Sequence, residues 1–200
     1  MRRASGSKDP RTVRTKHLLT EALIDLTQNI KVDCITVSQL TDKAKLNRVT
    51  FYRHFDGMPD FLNQLLSDIF EDLQLPPDPP VFHSYEAAIA YYTRVFDSIR
   101  KYERFFSSMM GRNGLPDFRQ RFIAKRQLWH KGIVRVAPGE SDQNVDTELL
   151  TFSFIAVLLS FIEYSLNHDH MDGSRHMAEQ LVRLTHDRVL QHLRPLGDSL

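Results

Sequence analysis

Two hundred residues, 42% hydrophobic and 26% charged, can build one or two small domains with real cores, which excludes a disordered chain. The formal net charge of +1 conceals an asymmetry: residues 1–55 carry 11 Lys+Arg against 5 Asp+Glu, a net of +6, while residues 56–200 carry 15 against 20, a net of −5. A polyanion would therefore meet the N-terminal quarter and be repelled by the remainder. With Cys34 the only cysteine, no intrachain disulfide can form and a reducing cytoplasm is the expected location. Cys34 itself is expected to be a small buried hydrophobe ahead of the second helix.

Residues 1–10, MRRASGSKDP, form a polar, basic arm expected to be disordered. It is either a solvated tail or a minor-groove contact through Arg2 and Arg3. A first helix is expected from Arg11 to about Asn29, with Val13, Leu18, Leu19, Ala22, Leu23 and Leu26 as its apolar stripe. The stretch 36–55, TVSQLTDKAKLNRVTFYRHF, predicts a helix-turn-helix. Val37, Leu40 and Ala44 share one helical face, and Thr36 stands where its hydroxyl can cap the first turn. Lys45-Leu46-Asn47 makes the turn, with Leu46 as its apolar plug, and Asn47 caps a second helix over Arg48–Phe55. That helix buries Phe51 and Phe55. It leaves Arg48, Thr50, Tyr52, Arg53 and His54 outward or lateral, a set suited to phosphates and base edges.

The string Leu46-Asn47-Arg48-Val49-Thr50-Phe51-Tyr52-Arg53-His54-Phe55 resembles the recognition-helix signature of the TetR (tetracycline repressor) family of bacterial transcription regulators. The resemblance runs into Pro59-Asp60-Phe61-Leu62 and covers about 50 residues, from Arg11 to Leu62. Its details are similar to the subgroup related to regulators of dihydroxyacetone kinase genes. The resemblance implies that Thr36 contacts a phosphate and that Asn47, Arg48, Val49 and Thr50 enter the major groove. Arg48 is the expected base reader, because a guanidinium can bond both acceptors of guanine. Thr50 would touch a thymine methyl or a base edge, Tyr52 and His54 would hold phosphates, and Arg53 would do either. Three departures stand out. Lys45 occupies the usual glycine of the turn and must adopt a left-handed conformation there. Asn47 replaces the commoner serine or threonine. Met58 stands where a lysine usually grips a phosphate, which should remove about one phosphate contact from the salt dependence.

Asp56-Gly57-Met58-Pro59 breaks the chain before a helix running to about Leu75, and Pro76-Pro77-Asp78-Pro79-Pro80 ends it. Further helices are expected from Ser84, over Tyr102–Met110, Pro116–Val134, Val145–Asn167 and Ser174–Leu193. No alternating pattern persists, so the expected fold is all-α with about nine helices. The division is a basic arm at 1–10, a helix-turn-helix domain at 11–57 and an effector-binding and dimerisation domain at 58–200. The apolar run Leu149–Ile162 is interrupted by Thr151, Ser153 and Ser160 and is too short for a membrane span of about 20 residues.

Phe105, Phe106, Met109, Met110, Trp129 and Phe152 fit either the lining of an effector pocket or an irregular core. Phe152, Ile155, Leu159, Ile162 and Leu166, with Met177, Leu181 and Leu184 on the last helix, fit a homodimer interface as well as an intrachain core. The basic stretch Arg119–Lys131 is either a second anion site or a set of ion-paired cations. His168, His170, Asp172 and His176 lack the spacing of a compact zinc motif and suggest a solvated loop. No metal, cofactor or catalytic constellation is expected. The implied function is a homodimeric transcription regulator, a repressor in the first instance, with double-stranded DNA and an unknown small-molecule effector or partner protein as its partners. The alternative is a helical protein-interaction module, a co-activator that has lost direct DNA binding.

Overall fold

The computed structural model describes residues 9–73, 84–130, 147–168 and 173–189. Of the arm expected at 1–10, Asp9 and Pro10 cap and open the first helix, while residues 1–8 and the proline-rich segment lie outside the described residues. Among these residues are nine α-helices, one 3₁₀ turn and no strand. The all-α expectation holds. The helices are α1 (Pro10–Thr27), α2 (Val37–Ala44), α3 (Arg48–Tyr52), α4 (Met58–Asp72), α5 (Tyr85–Lys101), α6 (Glu103–Met110), α7 (Phe118–His130), α8 (Thr147–Asn167) and α9 (Ser174–Val189).

The chain divides into two compact units. The first holds the described residues up to Asp72 together with Ser108–Leu115, so it includes α4 and the end of α6; the second holds Leu73–Ser107 and the described residues from Pro116 onward.

In the first unit, α1 starts where Asp9 accepts from the Arg11 amide at 3.0 Å and Pro10 takes the first helical position, where a missing N–H costs nothing. Leu19, Leu23 and Ile24 face inward, and α1 packs on α2. Val13, expected in the apolar stripe, is 48% exposed instead, one turn from the helix start. The 3₁₀ turn Val32–Cys34 buries Val32 and, three residues on, Ile35. Cys34 falls between these two inward positions and is exposed, contrary to the buried role expected of it.

The turn after α6 closes against the end of α1. The Thr27 and Ser108 hydroxyls lie 2.5 Å apart, Asn113 Nδ2 donates to the Thr27 carbonyl at 3.0 Å, and the Asn113 carbonyl accepts from the Val32 amide at 2.8 Å. These bonds satisfy backbone groups at a helix end and a buried pair of hydroxyls, which would otherwise be costly to bury.

In the second unit α5 packs against α9, α7 against α8, and α8 against α9. Ser84 caps α5 by accepting from the Ala87 amide at 3.2 Å. Ile89, Tyr92, Val95, Phe96 and Ile99 of α5 meet a core that includes Leu158, Leu159, Ile162, Leu181 and Val182. No helix among the described residues is long and apolar enough to cross a membrane.

Candidate nucleic-acid interface

The helix-turn-helix is assembled from local bonds that the sequence encodes residue by residue. Thr36 and Gln39 form a reciprocal capping box: the Gln39 amide donates to Thr36 Oγ1 at 3.2 Å and the Thr36 amide to Gln39 Oε1 at 2.9 Å. The Thr36 hydroxyl also donates to Gln39 Oε1 at 2.9 Å, so a phosphate would have to replace that partner. At the other end of α2, Lys45 adopts φ 55° and ψ 41°, the left-handed conformation its position demands. The Leu46 amide then closes on the Thr41 carbonyl at 2.9 Å.

Asn47 caps α3 by accepting from the Val49 amide at 2.8 Å. As a regular helix α3 spans only Arg48–Tyr52, shorter than the expected Arg48–Phe55; Arg53 and His54 continue it as a turn, with the Phe55 amide bonded to the Phe51 carbonyl at 3.0 Å. Five residues cannot sustain a helix alone, because nucleation costs more than one turn returns. Side-chain anchors hold it. Phe51 and Phe55 are 0% and 2% exposed and meet Phe61 of α4 with ring centroids 6.0 and 5.0 Å apart. Burial of each ring contributes about 1.5–3 kcal/mol.

The same anchoring decides what faces out. Val49 is 73% and Tyr52 57% exposed, Thr36, Asn47, Arg48 and Arg53 are exposed, and Thr50 and His54 are half-buried. The Arg48 guanidinium donates through Nη2 to Ser38 Oγ of α2. Asp60, in the first turn of α4, accepts from the Asp56 amide at 3.0 Å and from Gln64. Those bonds, the amide first, and the charge of Lys16 hold its carboxyl below the usual carboxylate range.

The other expected sites fall differently. Phe105 and Phe106 are buried and pack edge-to-face on Phe118, with centroids 6.1 and 5.7 Å away. Met109 is buried with the first unit and Met110 is half-buried; the Trp129 side chain lies outside the described residues; Phe152 is 45% exposed. Of the expected interface residues, Ile155, Leu159, Ile162, Met177 and Leu181 are buried inside the protomer and belong to its own core, because α5, α8 and α9 close around them. Leu166 is half-buried, while Phe152 and Leu184, with Leu149 and Tyr164, remain exposed. Arg119 pairs with Glu163, and Arg121 with Asp117 at 2.8 Å, so part of the basic stretch is ion-paired. His168 stacks on Tyr164 at 4.0 Å, whereas His170 and Asp172 lie outside the described residues. Periodicity gave no sign of one feature, a cavity of about 170 Å³ in the first unit, lined by Val13, Phe55, Phe61 and Leu65 with Lys16 and Asp68 paired at its edge.

No family model and no curated protein matches the chain. Solved structures do. A TetR transcriptional regulator from Streptococcus agalactiae 2603V superposes with a TM-score of 0.63 at 18% identity, over 89% of this chain and 97% of that one. NalD, the secondary repressor of the MexAB-OprM multidrug efflux pump in Pseudomonas aeruginosa, gives 0.60 at 17% identity, over 88% and 96%. DhaS, a dihydroxyacetone kinase operon activator and so of the subgroup that the α3 string resembles, gives 0.59 at 16% identity, over 90% and 98%. The chain has the fold of the TetR-family transcriptional regulators.

Proposed function

We propose that this protein is a sequence-specific DNA-binding regulator of transcription without enzymatic activity, acting as a homodimer on a palindromic operator. The observation that carries the reading is the division of α3 and its turn: Phe51 and Phe55 are sunk in the core, while Asn47, Arg48 and Val49 stand exposed on a capped N-terminal turn and Tyr52 stands exposed at the helix's other end. Two such turns, one per protomer, would enter successive major grooves about 34–36 Å apart. Thr36, Tyr52 and His54 would set register on phosphates, and Arg48, with Thr50 and Arg53, would read bases. Occupancy of the operator represses, and a small-molecule effector or a partner protein at the second unit relieves it. The basic excess of residues 1–55 supports the same docking orientation.

Footprinting on the DNA upstream of the protein's own gene, at two salt concentrations, tests this. A protected palindrome that weakens steeply with salt is the expected result. Arg48→Ala should cost about 1–3 kcal/mol of specific binding with an unchanged melting temperature. Absence of sequence-specific protection, even at low salt, would favour the interaction-module reading, to which Met58 in place of a phosphate-gripping lysine gives some support.

A further inference from the structure

We propose that Ser38 is a positioning residue for base reading: it holds the Arg48 guanidinium in the orientation from which that group meets a guanine. The inference rests on the reading of Arg48 given above and goes beyond it to a residue on the other helix of the motif. Arg48 opens α3 and is exposed; Ser38 lies in the first turn of α2, ten residues earlier, and is half-buried. Arg48 Nη2 donates to Ser38 Oγ, and Ser38 Oγ donates to Asp42 Oδ2 at 3.3 Å, one turn along α2.

The direction of this relay follows from the chemistry of a hydroxyl. It has one proton and two lone pairs, so with the proton given to Asp42 it presents a lone pair to the guanidinium. The carboxylate behind it polarises the hydroxyl and strengthens it as an acceptor. Arg48 spends one of its five N–H donors on Ser38. The others remain for guanine O6 and N7, whose bidentate recognition requires the guanidinium plane to be fixed. An exposed arginine without such a partner loses its rotamer freedom only on meeting DNA. With Ser38 in place, part of that ordering is complete before the encounter.

The test uses the full-length protein and a library of duplexes with a randomised centre, enriched by repeated selection and read as base preference at each position. Arg48→Ala should flatten one guanine column in each half-site. Ser38→Ala should flatten that same column roughly threefold and no other, while Ser38→Thr, which keeps the hydroxyl, restores it. Asp42→Asn should tighten binding to all sequences by removing a negative charge, with the column largely retained. Melting curves of each variant establish that it folds. Ser38→Ala preferences that superimpose on the wild type, while those of Arg48→Ala do not, would overturn the positioning role alone. An Arg48→Ala variant with unchanged preferences, or a wild-type protein that enriches no sequence, would overturn the reading of Arg48 and this inference with it.

Discussion

Lys45 is the residue at which this chain departs most visibly from the rule that left-handed turns use glycine. Its φ of 55° costs a side-chain-bearing residue about 1–2 kcal/mol relative to glycine, against which glycine loses about 0.5–1 kcal/mol in the unfolded chain. Lys45→Gly should therefore raise stability by roughly 0.5–1 kcal/mol, and Lys45→Val should lower it, because a β-branched residue tolerates this region least. Urea melts that rank valine at or above lysine would contradict the argument. Asp60 offers a second residue-scale test. Its carboxyl pKa is depressed in the fold, so its contribution exists above the unfolded value and disappears as pH falls through the folded one. Asp60→Asn should lower the melting temperature near pH 7, and the gap should narrow as pH falls below about 4 and close only below the depressed folded value, where the wild-type group is itself neutral. A gap that persists at low pH would assign the effect to packing rather than charge.

At the scale of elements, the caps were legible in the sequence because they are local. Thr36 and Asn47, the two caps read there, bond within three residues of themselves; Gln39, which completes the capping box, and Ser84, the cap of α5, are equally local but were found only in the structure. The end of α6 was not legible to the same degree. Gly111 and Gly114 signal a stop, but the bonds from Asn113 and Ser108 to the end of α1 span more than eighty residues. Gly114 is required there by close approach: a Cβ would stand 2.1 Å from the Met109 carbonyl oxygen and 2.6 Å from that of Ser108. Both are backbone atoms, so relief requires the α6 end to move. Gly114→Ala should destabilise by about 1–3 kcal/mol, measured by thermal or urea unfolding. The length of α3 is a related lesson. Continuous apolar and basic spacing suggested a helix to Phe55; the regular helix ends at Tyr52, and the Arg53 and Phe55 amides still bond the Val49 and Phe51 carbonyls at 3.0 Å in the closing turn, while Phe55 packs on Phe61.

For the whole molecule, the proposed homodimer requires an apolar surface that the chain's own core leaves uncovered. Inside the second unit, α8 is apolar around most of its circumference; Ile155, Leu158, Leu159 and Ile162 are consumed by the protomer's own core. Phe152 and Leu184 remain 45% and 65% exposed on α8 and α9. In the proposed dimer these side chains are covered, so the double variant Phe152→Glu, Leu184→Glu should sediment as a monomer and lose protection of a palindrome. A variant that stays dimeric would move the interface elsewhere on the protomer.

Periodicity, turn residues and caps determined the all-α fold and the reading motif, because each is set by neighbours three or four positions away. Phe51, Tyr52 and Arg48 could be assigned to inner and outer faces on that basis alone. Tertiary structure decided the exposure of Cys34 and Val13, the relay from Arg48 through Ser38 to Asp42, and which apolar residues of α8 and α9 stay exposed. An amphipathic pattern states that a face is apolar but not what covers it. Coverage depends on helices distant in the chain, and only their packing settles it.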